Sequence, residues 1–398
     1  MNIDLPDVVH VPRTDPVYNA HGYLTKVPIG AIRPFIRQFS EPGDLILDPF
    51  AGSGMTGVAA VIEGRVAALS DLAVLGQHIG QGFLSWVPMD AVDTAASEIL
   101  EASRQEVGGL YRTERAEDGT DVEWVRTIWS FVYECPKCST QFNFFHAATG
   151  AIPPLKWSCE KCGEPFKKRN WANVDDIPVS VVVNGTDGKQ VEQPVNGADQ
   201  ERINSSAEDK RLSEVPSNEI TPDREMYRRS ALGRWGLTET SAFFTPRNAL
   251  VLLDLWKRIN EVEDPGVRQK LRFAFTAILP RASRRYQWSA KRPLNAQNQT
   301  YYISPVHFEW NVFDLFTRKV RAVMRAQAFI EEQRDPLFKG PSSFTYRLAS
   351  ANNIAHLDDC SVSYVFTDPP FGSNIFYSDM NLFQEAWLGS TTDNSHEA

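Results

Sequence analysis

Asp368-Pro369-Pro370-Phe371, at the end of the apolar run Val362 to Thr367, puts an acid, two prolines and an aromatic ring in four consecutive positions. Consecutive prolines lack N–H groups and fix φ, so they end a strand and leave their carbonyls free. An acid and a free carbonyl beside a ring suit the exocyclic amino group of a planar base. They offer two acceptors for its two hydrogens and a surface to stack on. A turn in a surface loop is the plainer reading of four residues. A second motif upstream, Asp48-Pro49-Phe50-Ala51-Gly52-Ser53-Gly54, favours the chemical one.

Pro42-Gly43-Asp44 read as a turn, Leu45-Ile46-Leu47 as a short buried strand, and Met55 to Glu63 as a helix with Gly57, Ala59 and Ala60 on one side. Strand, glycine loop and helix make the first half of a nucleotide-binding α/β unit. The glycines let the backbone approach a ligand, and the helix N-terminus favours negative charge. Val66 to Leu69 predict a second strand ending at Asp71, 23 residues after Asp48, where such folds hold a ribose hydroxyl pair. An ordinary βαβ unit with glycines for packing is the alternative. The loop lacks the GxxxxGK[ST] spacing of a phosphate-binding loop, which disfavours nucleoside triphosphates.

Together these residues resemble the amino-methylating DNA methyltransferases that use S-adenosylmethionine, most closely over residues 15–90 and 345–390. The resemblance implies an α/β fold with a Rossmann-like sheet, interrupted here by a large insert. It places Asp48, Pro49, Phe50, Ala51, Gly52, Ser53 and Gly54 at the methionine part of the cofactor and Asp71 at its ribose. Asp368, Pro369, Pro370 and Phe371 would grip and stack on a base flipped out of DNA. Tyr23 to Pro28, followed by a helical pattern over Ile29 to Phe39, resembles the flanking cofactor motif, so Thr25 and Lys26 are expected there too. Ser350, Ala351 or Asn352 falls where the family binds the adenine ring, although the acid usual at that place is absent until Asp358.

The implied reaction is direct methyl transfer to an exocyclic amino group. An Asp in the first motif position favours adenine N6 over cytosine N4. An RNA or protein-amide methyltransferase is one alternative. Another is an inert nucleic-acid-binding fragment or one subunit of a split enzyme. A complete sheet in this family has seven strands, and only 27 residues follow Phe371. The chain is therefore expected to be truncated, poorly active alone, and completed by a second polypeptide.

Cys135-Pro136-Lys137-Cys138 and Cys159-Glu160-Lys161-Cys162 are two CxxC knuckles separated by 20 residues, the spacing of a closed structural zinc site. Disulfides are disfavoured because Met1 to Pro12 holds no apolar signal segment. The quartet resembles in particular the zinc-ribbon branch of adenine-specific DNA methylases. Cys360, just before a predicted strand, reads as a small core residue.

A chain of 398 residues with 42% hydrophobic content has room for two or three domains. No apolar run reaches the length of a membrane span, and a cytoplasmic location is expected. The net charge of −9 fits poorly with DNA, whose phosphates supply much of the affinity, but the basic residues are clustered. Arg281, Arg284, Arg285, Lys291 and Arg292 interleave with Tyr286 and Trp288, and Arg224, Arg228, Arg229 and Arg234 precede Trp235. Basic residues among aromatics suit a phosphate-tracking surface; a solvated charged face is the plainer alternative.

The expected organisation is a cofactor half over 1–90, an insert over 91–343, and a catalytic half over 344–398. The insert would hold the ribbon at 128–172, a polar connector at 184–224 (irregular or a loose hairpin), and a helical target-recognition region at 225–343. Helices are predicted from Thr245-Pro246 onward, at 265–279 and at 306–332. Strands are predicted over Tyr346 to Ala349 and Val362 to Thr367. The family's settings, restriction-modification and phage defence, come with the resemblance.

Overall fold

A computed structural model describes residues 8–11, 14–150, 156–289, 301–334, 344–370, 372 and 375–396. Eleven strands occur among them: β1 Leu45–Asp48, β2 Val66–Asp71, β3 Arg112–Glu114, β4 Asp121–Glu123, β5 Arg126–Glu134, β6 Gln141–Asn143, β7 Ala172–Asn184, β8 Gln190–Pro194, β9 Val306–Trp310, β10 Phe344–Leu348 and β11 Tyr364–Val365.

The chain folds as a mixed α/β structure with two principal sheets. In the first, β10, β2, β1 and β11 lie side by side in that order and are all parallel. Parallel neighbours need crossover connections, and β1 reaches β2 through the helix Met55–Ile62, whose eight residues are all buried. Apolarity on every face is why this helix, short as it is, sits inside rather than on the surface. The helix Val74–Leu84 follows β2 and packs against β10. Its Gly80 is required there, because a Cβ would come within 2.6 Å of the Tyr346 ring.

The second sheet is antiparallel, in the order β6-β5-β7-β8, with β9 also on β5. β5 is its spine and is buried along nearly its whole length. The helices Met89–Val107, Pro246–Glu261, Pro265–Ala282 and Val312–Gln333 pack on one another between the sheets. Pro265–Ala282 also touches Val74–Leu84 and the late helix Tyr377–Leu388, so one hydrophobic core runs from Val17 to Trp387 across both sheets and these helices.

Local signals set several boundaries. Thr245 accepts from the Asn248 amide and Asp264 from the Val267 amide, each with proline at the next position. Four expectations are corrected. Residues 306–310 are strand β9, and the helix begins only after Asn311, which caps it through the Phe313 and Asp314 amides. The polar stretch 184–224, expected as an irregular connector or a loose hairpin, is more regular than either: β8 closes a hairpin with β7, and the helix Gly197–Ala207 follows, opened by a capping box between Asn196 and Asp199. The predicted strand Val362 to Thr367 shortens to Tyr364–Val365, and Val365 is 49% exposed on its outer side. Cys360 is exposed, at φ +59°, instead of lying in the core.

Candidate active site and metal centre

The ends of β1, β2, β10 and β11 meet at a cleft of about 330 Å³. Tyr23, Thr25, Pro49, Phe50, Gly52, Asp71, Leu72, Ala73, Ser350, Asp368, Pro370 and Tyr377 are among its walls. Each strand ends in a turn at the same edge of a parallel sheet, which is where open α/β sheets place their ligands. The volume falls within the usual range of small-molecule sites.

The glycine loop and Asp71 form one hydrogen-bonded unit. Gly52, at φ +49°, donates its amide to Asp71 Oδ2 at 2.7 Å, and Asp71 Oδ1 accepts from the Ala73 amide at 2.9 Å. The Gly52 carbonyl is held from behind by the Tyr346 hydroxyl at 2.5 Å. Across the mouth, Thr25 Oγ1 and the Tyr377 hydroxyl are 2.8 Å apart, and the Tyr377 ring stacks on Tyr23 at 6.1 Å between centroids. Thr25 sits at φ +55°, a left-handed conformation uncommon for a β-branched residue.

Asp48 supports the loop from inside. It is 3% exposed, accepts from the Thr56 hydroxyl at 2.5 Å and from the Phe50 amide at 3.1 Å, and does not line the cleft. Burial pushes its pKa up to about 6, against the pull of hydrogen bonds from Thr56, Phe50 and Thr367. Thr367 directly precedes Asp368, so the two motifs, over 300 residues apart, meet at this carboxyl.

Of the residues expected at the cofactor, Thr25, Pro49, Phe50, Gly52, Asp71 and Ser350 line the cleft. Ala51, Ser53 and Gly54 stand behind it: Ala51 and Ser53 are buried, and the Ala51 amide bonds to the Ser70 carbonyl. Lys26 is elsewhere. Its ammonium donates to the Tyr18 carbonyl at 2.5 Å and the His21 carbonyl at 2.6 Å, which fixes the N-terminal segment and leaves no reach into the cleft. Asp368 and Pro370 are exposed on the cleft wall, Pro369 is exposed beside them, and Phe371 lies outside the described residues. Tyr23, which opens the flanking cofactor motif, lines the cleft, whereas Tyr346, Tyr377 and Thr392 were not anticipated as site residues. Single aromatic residues on a strand or helix carry no motif, and only their proximity to the predicted loops could have marked them.

Among the described members of the basic segment, Arg285 is buried and Arg281 and Arg284 are half-buried. Arg285 is 4% exposed, with its guanidinium over the Tyr301 and Phe383 rings, and burial lowers its pKa to about 10. Arg284 pairs with Asp176 at 3.3 Å. Arg281 is half-buried against Trp310. Lys291 and Arg292 lie outside the described residues. Arg224 is tied to Asp379 at 2.8 Å, and Arg228 and Arg229 both pair with Glu225.

Cys135, Cys138, Cys159 and Cys162 bring four sulfurs within 4.8 Å of one another. The two knuckles match in detail. The Cys135 amide bonds to the Thr140 carbonyl and the Cys159 amide to that of Glu164. Ser139 and Gly163, each one residue past its CxxC, both have positive φ and donate back to the first cysteine's carbonyl. Sulfur separations of 3.5 and 3.6 Å are close to the roughly 3.8 Å edge of a tetrahedron of thiolates 2.3 Å from one ion.

Comparison with known proteins agrees with this site. Residues 7–79, which include the glycine loop and Asp71, match the DNA methylase family. A stretch of 47 residues is 49% identical to the protein named "Putative methylase YubD" of Escherichia coli (strain K12), covering 12% of this chain and 20% of that one. The chain thus spans about a fifth of the length of the curated relative it matches. No solved structure matches. No helix among the described residues is long and apolar enough to cross a membrane.

Proposed function

We propose that this chain transfers a methyl group from S-adenosylmethionine to the exocyclic amino group of a DNA base, adenine N6 in preference to cytosine N4. One observation carries the reading: Gly52 and Asp71, at the ends of β1 and β2, face the same cleft as Asp368 and Pro370 beyond β11. The sheet is read as the Rossmann-like half of a methyltransferase domain.

When bound, S-adenosylmethionine supplies an electrophilic methyl on a sulfonium, and the S–CH3 bonding electrons return to sulfur. Asp71 suits the ribose hydroxyls; Thr25, Pro49, Phe50, Gly52 and Ser350 shape the rest of the cofactor's seat. The bare Gly52 backbone, with its amide turned to Asp71, permits a close approach. Asp368 and the Pro369 carbonyl accept the two amino hydrogens of the target, which favours a pyramidal nitrogen with its lone pair aimed at the methyl. As the N–CH3 bond forms, the proton leaves the nitrogen toward Asp368 or water. Rate gain comes from positioning and from a negative charge beside a nitrogen that turns positive. Zinc is proposed in the cysteine centre as a structural ion, all four positions being filled by protein.

The unpaired outer side of β11 among the described residues favours a sheet completed by a further segment, supplied by this or a second polypeptide.

Transfer of labelled methyl to unmethylated DNA by the zinc-loaded chain, followed by digestion to nucleosides, tests the reading. Label in N6-methyladenine that disappears with Asp368→Ala is the expected result. Label in RNA or protein but not in DNA would replace it. Cofactor binding without label would assign the chain to a split enzyme.

A further inference from the structure

A second cavity, of about 480 Å³, lies on the other side of Tyr23 from the methyl-transfer cleft. It is bounded by the N-terminal segment at Tyr18, Asn19, Gly22 and Lys26, by the end of helix Pro265–Ala282 at Arg281, and by helix Val312–Gln333 at Arg318 and Lys319. Four of its lining residues are cationic and none is acidic.

The cations are placed at a cost. Arg281 and Arg318 both lie over the Trp310 ring, at 4.3 and 6.0 Å, and Arg126 stands over the same ring at 5.2 Å. Burial, with Arg281 and Arg318 adding to it, lowers the pKa of Arg126, and burial together with Arg281 brings Lys319 down to about 8. Of the acids nearby, Asp15 caps the helix Pro16–Ala20 and Glu192 accepts from Ser180, while Arg318 Nε donates to the Asp314 backbone carbonyl at 3.1 Å. Arg281 Nε is buried with no hydrogen-bond partner. A buried guanidinium donor without an acceptor is costly to retain, and an anion would satisfy it. Lys26 adds charge but no donor, because its ammonium is taken by backbone carbonyls.

We infer that this cavity is a phosphate site, with Arg281, Arg318 and Lys319 as the ligands of a phosphate group. Arg281 offers its Nε edge from the floor, where the Trp310 face holds the guanidinium plane fixed. Arg318 is exposed and closes from outside, and Lys319, half-buried beside the Asn19 carbonyl at 3.2 Å, completes the set. Planar guanidinium forks on one anion give bidentate contacts that a lone surface lysine cannot. The group could belong to the backbone of a nucleic acid or to a small phosphorylated compound; the chemistry of the site is the same. The assignment stands apart from methyl transfer and does not require it.

The test uses the full zinc-loaded chain and the double variant Arg318→Gln, Lys319→Gln, which changes two side chains outside the packed core. Inorganic phosphate, at constant ionic strength, is expected to raise the wild-type melting midpoint and leave that of the double variant unchanged. A labelled 20-base-pair duplex is then titrated at several salt concentrations. A loss of about three- to tenfold in affinity, with the salt slope reduced by about 1 to 2, identifies a backbone phosphate as the natural occupant. An unchanged slope together with a lost phosphate response identifies a free phosphorylated compound. No phosphate response in the wild type, or an equal response in the double variant, overturns the site. Arg281→Lys, which keeps the charge but loses the fork, serves as the second variant and is expected to weaken phosphate binding without loss of fold.

Discussion

The Gly52 amide donates to the Asp71 carboxylate at 2.7 Å, so the loop after β1 and the acid after β2 are a single unit and not two independent contacts. Asp71→Ala removes an acceptor from both Gly52 and Ala73. Hydrogen bonds to a charged acceptor contribute roughly 1.5–3 kcal/mol each, and their loss frees the loop. Affinity for S-adenosylmethionine, measured by calorimetry, is expected to fall at least about tenfold, with the melting midpoint moving far less. Binding within twofold of wild type would mean that Asp71 neither holds the loop nor meets the cofactor.

Tyr346 reaches the same loop from the opposite side, its ring in the space left by Gly80 and its hydroxyl on the Gly52 carbonyl. Tyr346→Phe keeps the packing and loses the bond, so urea unfolding should show a loss of about 1 kcal/mol. Gly80→Ala is the harsher change, because a methyl 2.6 Å from a buried ring forces the strand and helix apart. A loss of about 1–3 kcal/mol is expected, with weaker cofactor binding. Equal stability of all three proteins would contradict the packing described here.

How much of this was legible depends on whether neighbours in sequence carry the constraint. β1, its glycine loop and the helix behind it are local, and so are the caps at Thr245 and Asp264; each was readable from a few consecutive residues. The arginines were misread because charge and spacing say nothing about what faces them. Arg285 is covered by Tyr301 and Phe383, which lie on other elements. β9 was read as helix because the apolar spacing of 312–332 runs back across Asn311, although Asn311 is the cap that separates them. β8 was legible only as half of a loose hairpin, because a single one of its residues, Gln193, is buried, which leaves no alternation of apolar and polar positions.

Two buried histidines give the fold an acid-sensitive link. His21 Nδ1 donates to the Gly22 carbonyl at 2.7 Å, and its Nε2 lies 3.1 Å from the Thr276 hydroxyl, which donates to the Arg272 carbonyl. Gln269 donates to His78 Nδ1, so His78 Nε2 carries the proton toward Thr276 at 2.9 Å. The Gln269 contact is satisfied only with the His78 ring neutral, and both rings are buried. Burial accordingly lowers the His78 pKa to about 4, and that of His21 well below its ordinary value. A depressed histidine pKa means the unfolded state binds more protons, so the contribution is present above about pH 6.5 and is lost as pH falls toward 4. Asp48, raised to about 6, acts in the opposite sense, losing stability as pH rises from about 4 to 6. Chemical denaturation across pH 4–7 should show a shallow net slope in wild type. Asp48→Asn removes the opposing group, and a clear loss of stability on acidification should emerge; a flat profile in that variant would refute the histidine link.

Removing the metal should loosen one sheet and spare the other. β5 runs into the first knuckle and β7 begins ten residues after Cys162, so the four cysteines clamp the same end of both strands. The clamp is wrapped by aromatic rings: Phe142 stacks on Trp157 at 4.0 Å, and Phe166 meets Trp171 edge-on at 5.4 Å. Four thiolates without a cation repel one another, and a ribbon this small has little else to hold it. Chelation, or Cys138→Ser with Cys159→Ser, is expected to change tryptophan fluorescence and to raise amide exchange over residues 132–143 and 172–176. Exchange over 45–71 and binding of S-adenosylmethionine should stay near wild type, because the parallel sheet closes its own hydrogen bonds. Full unfolding on chelation would show that both sheets melt as one unit, and an unchanged fluorescence and exchange pattern would show that the cysteines hold no metal at all.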